Sequence, residues 1–79
     1  GFRHWFSNLA ISLGLNGYVQ NLANKDEVEA IVQGNIKNIL NITEKSKSGP
    51  QMSLVEGVIP NQIISNVKYS GFIVKYDSN

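Results

Sequence analysis

Cysteine is absent from these 79 residues, which excludes disulfide stapling, thiol nucleophiles and cysteine-bearing metal sites, and fits a reducing compartment. There is one histidine, so the usual transition-metal ligand sets are missing as well. Neither a metal nor a cofactor is expected. An excess of one charge is also lacking: seven Lys and Arg face six Asp and Glu, for a net +1. The basic residues are scattered, which argues against a nucleic-acid partner. No apolar run approaches the ~20 residues of a membrane span, and the N-terminus does not have the basic-then-apolar layout of a secretory signal. The expectation is one small domain, residues 1–79, soluble, cytoplasmic and held together by packing alone. Asn41-Ile42-Thr43 has the form of a glycosylation sequon, read as coincidence in a chain with no export signal.

What is present is strongly patterned. Phe2, Trp5, Phe6, Leu9, Ala10 and Leu13 recur at the i, i+3, i+4, i+7 spacing of a helix with one buried face, and Arg3, His4, Ser7, Asn8 and Ser12 fall on the other. This predicts a helix over 2–13. Gly14 then closes it in the left-handed conformation, and Leu15 packs back on the last turn. Residues 17–22 and 27–33 read as two strands of a hairpin across Ala23-Asn24-Lys25-Asp26. In the second, Val28, Ala30 and Val32 alternate with Glu27, Glu29 and Gln33, and Ile31 breaks the alternation. A second helix is predicted from an N-cap at Asn35 to about Lys45, with Ile36, Ile39, Leu40 and Thr43 on its apolar side. Ser46 to Pro50 is a loop by composition. Residues 52–59 and 72–76 read as further strands, while 61–66 carry no clear signal.

Few residues could carry chemistry. Arg3 stands in the first turn of the first helix, where exposed backbone N–H groups and the helix dipole favour an anion, and a guanidinium adds a fork for two phosphate oxygens. The bland alternative is a solvated arginine on a polar face. Asn21 ends its strand on the face shared by Gly17 and Val19. Strand-end asparagines commonly just begin turns, but a side-chain amide can also accept from a water while donating to a phosphate. His4 points about 100° from Arg3 around the helix, toward solvent or the rim of a pocket. Asp26, Glu27 and Glu29 read as a solvated acidic patch, and Trp5 and Phe6 as core.

Gly1-Phe2-Arg3, Val19-Gln20-Asn21 eighteen residues further on, Val28-Glu29, and Gly49-Pro50-x-x-Ser53-x-Val55-x-x-Val58 occur in this order across nearly the whole chain. Jointly they resemble the acylphosphatase family. The resemblance implies a ferredoxin-like α+β sandwich (βαββαβ) with two helices on one face of an antiparallel sheet. It also implies hydrolysis of acyl phosphates to carboxylate and inorganic phosphate. Arg3, with backbone N–H groups at Phe2 and Arg3, would bind the phosphoryl oxygens, and Asn21 would orient the attacking water. Gln20 departs from the family pattern, which has a basic residue there, and residues 24–26 lack the family's hairpin glycine.

In that family a strand and a glycine-containing phosphate loop precede the Gly-Phe-Arg motif. The expectation is therefore a fold lacking its first strand, which would lie between 27–33 and 52–59. The full-length form would be a monomer, and the short form would be prone to strand exchange and feeble in turnover. A reading from another class keeps the same scaffold as a non-catalytic binding or assembly module. A related domain opens the large hydrogenase-maturation carbamoyltransferases, but its arginine is usually followed by proline rather than by a residue such as His4.

Overall fold

A computed structural model describes residues 1–23, 27–50, 55, 57, 61–62 and 66–78. Helix α1 spans Phe2–Ser12 and ends as its sequence dictates. Gly14 takes φ 69°, its amide donates to the Ile11 carbonyl at 3.0 Å, and the Leu15 amide donates to the Ala10 carbonyl at 2.9 Å. This double return satisfies two carbonyls that would otherwise be orphaned at the helix end, and it turns Leu15 into the core.

Strands β1 (Asn16–Leu22) and β2 (Val28–Gln33) form the expected antiparallel pair. The Leu22 amide donates to the Glu27 carbonyl at 3.0 Å across the hairpin. Helix α2 spans Ile36–Ser46, and the Asn35 side chain caps it by accepting from the Lys37 amide at 2.8 Å. Strand β3, Phe72–Ser78, lies on the other side of β1, so the order is β2-β1-β3.

The pairing of β1 with β3 is parallel, which corrects the expectation of an antiparallel sheet: the described sheet is mixed. The cause lies where both strands begin. The Gly71 carbonyl accepts from the Gly17 amide at 2.9 Å, and the Gly71 amide donates to Asn16 Oδ1 at 3.0 Å. The start of β3 is thus tied beside the start of β1, and the two run the same way. The strand expected over 52–59 lies outside the described residues, Val55 and Gly57 aside. Among the described residues no strand pairs with the outer edge of β2.

Side-chain alternation assigns the faces. Gly17 and Val19 of β1, Ala30 and Val32 of β2, and Phe72 and Val74 of β3 share one face by register. Both helices cover it. Phe6 and Ala10 of α1 and Ile42 of α2 are buried with Leu15, Val19 and Phe72 in a single core. Each large apolar side chain buried there contributes about 1.5–3 kcal/mol. Ile31 falls on the opposite face with its register partner Tyr18, which accounts for the break in the alternation of β2.

Two helix faces differ from expectation. On α2 the inward residues are Ile39, Ile42 and Ser46, whereas Ile36 and Leu40 are 64% and 61% exposed. Polar residues occupy part of the inward side with their hydrogen bonds satisfied: Asn38 Nδ2 donates to the Leu13 carbonyl at 3.0 Å, and Ser46 Oγ to the Ile42 carbonyl of its own helix at 2.7 Å. On α1, Ser7 is buried between Phe6 and Ala10 in helical phase. The six apolar residues expected inward all lie in or against the core, and the inward face widens to take in Ser7, which brings Arg3, four residues before it, out of the solvent face.

Candidate functional site

Helix α1 runs antiparallel to β1 and β3, so its N-terminus lies at the C-terminal end of those two strands. The amides of Phe2, Arg3 and His4 open the helix and have no intrahelical acceptors, and Gly1, at the N-cap, offers no side-chain cap. These N–H groups and the positive end of the helix dipole make this end receptive to an anion. Phe2 contributes through its backbone. Its ring is committed to packing, 5.4 Å from the Trp5 ring and 6.0 Å from the Phe6 ring.

Arg3 is half-buried. It precedes Phe6, Ser7 and Ala10 by three, four and seven residues, the spacing of one helix face, and so it points along the inward stripe rather than away from the protein. Its Nη1 donates to the Lys75 carbonyl at 3.2 Å, and its Cζ lies 5.2 Å from the centroid of the Tyr76 ring. The lone salt bridge among the described residues joins Lys47 to Glu44 at 3.0 Å, so no described carboxylate neutralises the guanidinium. His4 is exposed, one of the two positions expected for it.

Asn21 is half-buried near the end of β1, on the helix-facing side by alternation with Gly17 and Val19. Its register partner in β2 is Val28. On the other side the ladder slips: Gln20 pairs with Lys75 but Leu22 pairs with Ser78, so two residues on β3 stand opposite Asn21. Slips of this kind bend a strand and re-aim its side chains. Arg3 is held on the carbonyl of Lys75, the partner of the residue just before Asn21. Arg3, Phe2 and Asn21 thus lie at the same end of the sheet, the C-terminal end of β1 and β3.

Sequence reasoning missed Tyr76. It sits at helix-facing parity with Phe72 and Val74, and that parity, set beside the 3, 6, 7, 10 stripe of α1, was the signal available. Glu29 proves to be engaged rather than simply solvated. On the far face of the sheet it accepts from Tyr18 at 3.2 Å and from Gln20 Nε2 at 2.9 Å. Loss of solvent, the Glu29 carboxylate and the hydrogen bond to it together raise the Tyr18 phenol above its ordinary pKa. The Lys75 ammonium lies 3.9 Å from the Tyr18 ring centroid, which anchors residue 75 from that side. Among the described residues no helix is long and apolar enough to cross a membrane.

Fold and site together define a small α+β domain with a guanidinium, helix amides and a neutral side-chain amide gathered at one sheet end. The acylphosphatase family model matches residues 1–74. A curated relative named acylphosphatase, from Caldivirga maquilingensis, is 34% identical over 77 residues, covering 98% of this chain and 81% of the relative. The solved structure of an acylphosphatase from Coxiella burnetii superposes with TM-score 0.86 at 34% identity, over 94% of this chain and 76% of that one. That of an acylphosphatase from Bacillus subtilis gives 0.84 at 26% identity, over 96% and 83%. The chain belongs to the acylphosphatase family.

Proposed function

We propose that this protein hydrolyses the carboxyl–phosphate bond of acyl phosphates. Arg3 and the first amides of α1, those of Phe2 and Arg3 foremost, hold the phosphoryl oxygens. The Asn21 amide accepts a hydrogen bond from the attacking water. The water oxygen bonds to phosphorus, the bond from phosphorus to the acyl oxygen breaks, and its electron pair leaves on the carboxylate. The water proton passes to a phosphoryl oxygen or to solvent, which leaves carboxylate and inorganic phosphate. A carboxylate with a conjugate-acid pKa of ~4 departs without a strong general acid. Positioning and charge stabilisation can therefore supply the catalysis, and no titrating side chain is needed at the reacting atoms.

The observation that carries this reading is an inward-facing Arg3, with no carboxylate partner among the described residues, placed at the same sheet end as the ladder slip at Asn21 and beside the open amides of α1. The test is release of phosphate from a small acyl phosphate such as acetyl phosphate, by this chain and by Arg3→Ala. Turnover that the alanine variant loses is the expected result. Phosphate binding with no turnover in either protein would favour a non-catalytic binding module on the same scaffold.

A further inference from the structure

An arginine side chain is long and rotamer-rich, so a guanidinium at a helix N-terminus samples many positions unless something restrains it. On Arg3 two restraints converge, both from β3: the Lys75 carbonyl at Nη1 and the Tyr76 ring 5.2 Å from Cζ. Tyr76 is 68% exposed and adds little to the core, so packing does not account for a large aromatic at this place. The two contacts are complementary. The Tyr76 ring attracts the cation through its π face and brings no oxygen acceptor to the five N–H donors of the guanidinium. The carbonyl takes one donor, and the others have no partner among the described residues, which leaves them for phosphoryl oxygens. Residue 75 is itself held from the opposite face by its ammonium over the Tyr18 ring at 3.9 Å, and the ladder slip opposite Asn21 falls at Tyr76 and Asp77.

We infer that Tyr76 is a positioning residue for the proposed reaction. Its ring, with the Lys75 carbonyl, holds the Arg3 guanidinium in one orientation beside Asn21, so that a phosphoryl group meets a preset fork. This rests on the reading of Arg3 as the phosphate ligand.

The test compares Tyr76→Phe, which keeps the ring, with Tyr76→Leu, which keeps apolar bulk without a π face. Inorganic phosphate is titrated into each, with thermal midpoints and the ¹⁵N relaxation of the Arg3 Nε–H group measured alongside. The leucine variant should bind phosphate about two- to fivefold more weakly, the range an exposed cation–π contact reaches. Its Arg3 side chain should gain mobility while the midpoint stays put. The phenylalanine variant should match the parent in all three. Unchanged affinity and unchanged Arg3 mobility in the leucine variant would overturn the inference, and so would equal losses in both variants. Arg3→Ala separates the two readings. If it still binds phosphate, the site assignment itself fails; if it loses phosphate while Tyr76→Leu keeps it, only the positioning role fails.

Discussion

Truncating Ile42 to alanine should remove a large part of the stability of this domain, while the same truncation at Ile36 or Leu40 should remove almost none. All three residues lie on α2, so the gain in helix propensity on going to alanine is similar and largely cancels. What differs is burial. Ile42 is 1% exposed and packs in the core with Phe6, Ala10 and Val19, whereas Ile36 is 64% and Leu40 61% exposed. A buried isoleucine truncated to alanine loses its transfer free energy and leaves a cavity, together about 2–5 kcal/mol. A domain of this length has about 4–12 kcal/mol in all. At about 4–8 °C per kcal/mol for this size class, a 3 kcal/mol loss lowers the melting midpoint by roughly 12–24 °C. The two exposed truncations should stay within about 0.5 kcal/mol. Urea and thermal denaturation followed by far-UV circular dichroism gives all three values. If Ile36→Ala or Leu40→Ala proved as costly as Ile42→Ala, the placement of α2 on the sheet described here would be wrong.

Gly17→Ala should destabilise by about 2–5 kcal/mol, because φ there is 137° and an added Cβ would run into the Ile31 carbonyl of β2; the same denaturation curves measure it. Stability should fall as pH rises above about 10, and part of that fall should belong to Tyr18. Its folded-state pKa is raised first by loss of solvent and then by Glu29, so the folded protein keeps the proton that the unfolded chain releases. The contribution is complete below the ordinary phenol pKa and disappears as pH passes through the raised one. Tyr18→Phe should flatten the decline of the urea midpoint as pH rises above about 10, and an unchanged slope would remove the argument. Turnover of an acyl phosphate should survive a chelator, since the proposed chemistry asks nothing of a metal; loss restored by Mg²⁺ would count against it.

Local features were legible in the sequence. The glycine stop at Gly14 with Leu15 folding back, the Asn35 cap and the β1–β2 pairing all depend on residues close together in the chain, where turn and capping chemistry decides. The parallel docking of β3 was not legible, because it depends on Gly71 meeting Asn16 and Gly17 across more than fifty residues. The inward side of α2 was misphased for a related reason. Hydrophobicity selected Ile36 and Leu40, whereas Asn38 sits inward on the Leu13 carbonyl and Ser46 is buried with its hydroxyl satisfied by its own helix. Of the site, Arg3 and Asn21 stood out through their motifs, but the face to which Arg3 belongs did not. The apolar stripe beginning at Phe2 lies in or against the core as expected, but the inward face extends past it to Ser7, which hydrophobicity does not mark. Tyr76 and the ladder slip opposite Asn21 exist only once β3 is docked.

The central claim is a division of labour, Arg3 on the phosphate and Asn21 on the water. Product inhibition by inorganic phosphate, measured during acyl phosphate turnover in the parent, Arg3→Lys and Asn21→Ala, tests it most directly. Arg3→Lys should lose most of its turnover, and the residual turnover should no longer be inhibited by phosphate, because an ammonium cannot reproduce the two-oxygen fork. Asn21→Ala should keep the parent's phosphate inhibition constant while kcat falls by a large factor. An Asn21→Ala variant that lost phosphate affinity but kept its rate, or an Arg3→Lys variant inhibited like the parent, would contradict it.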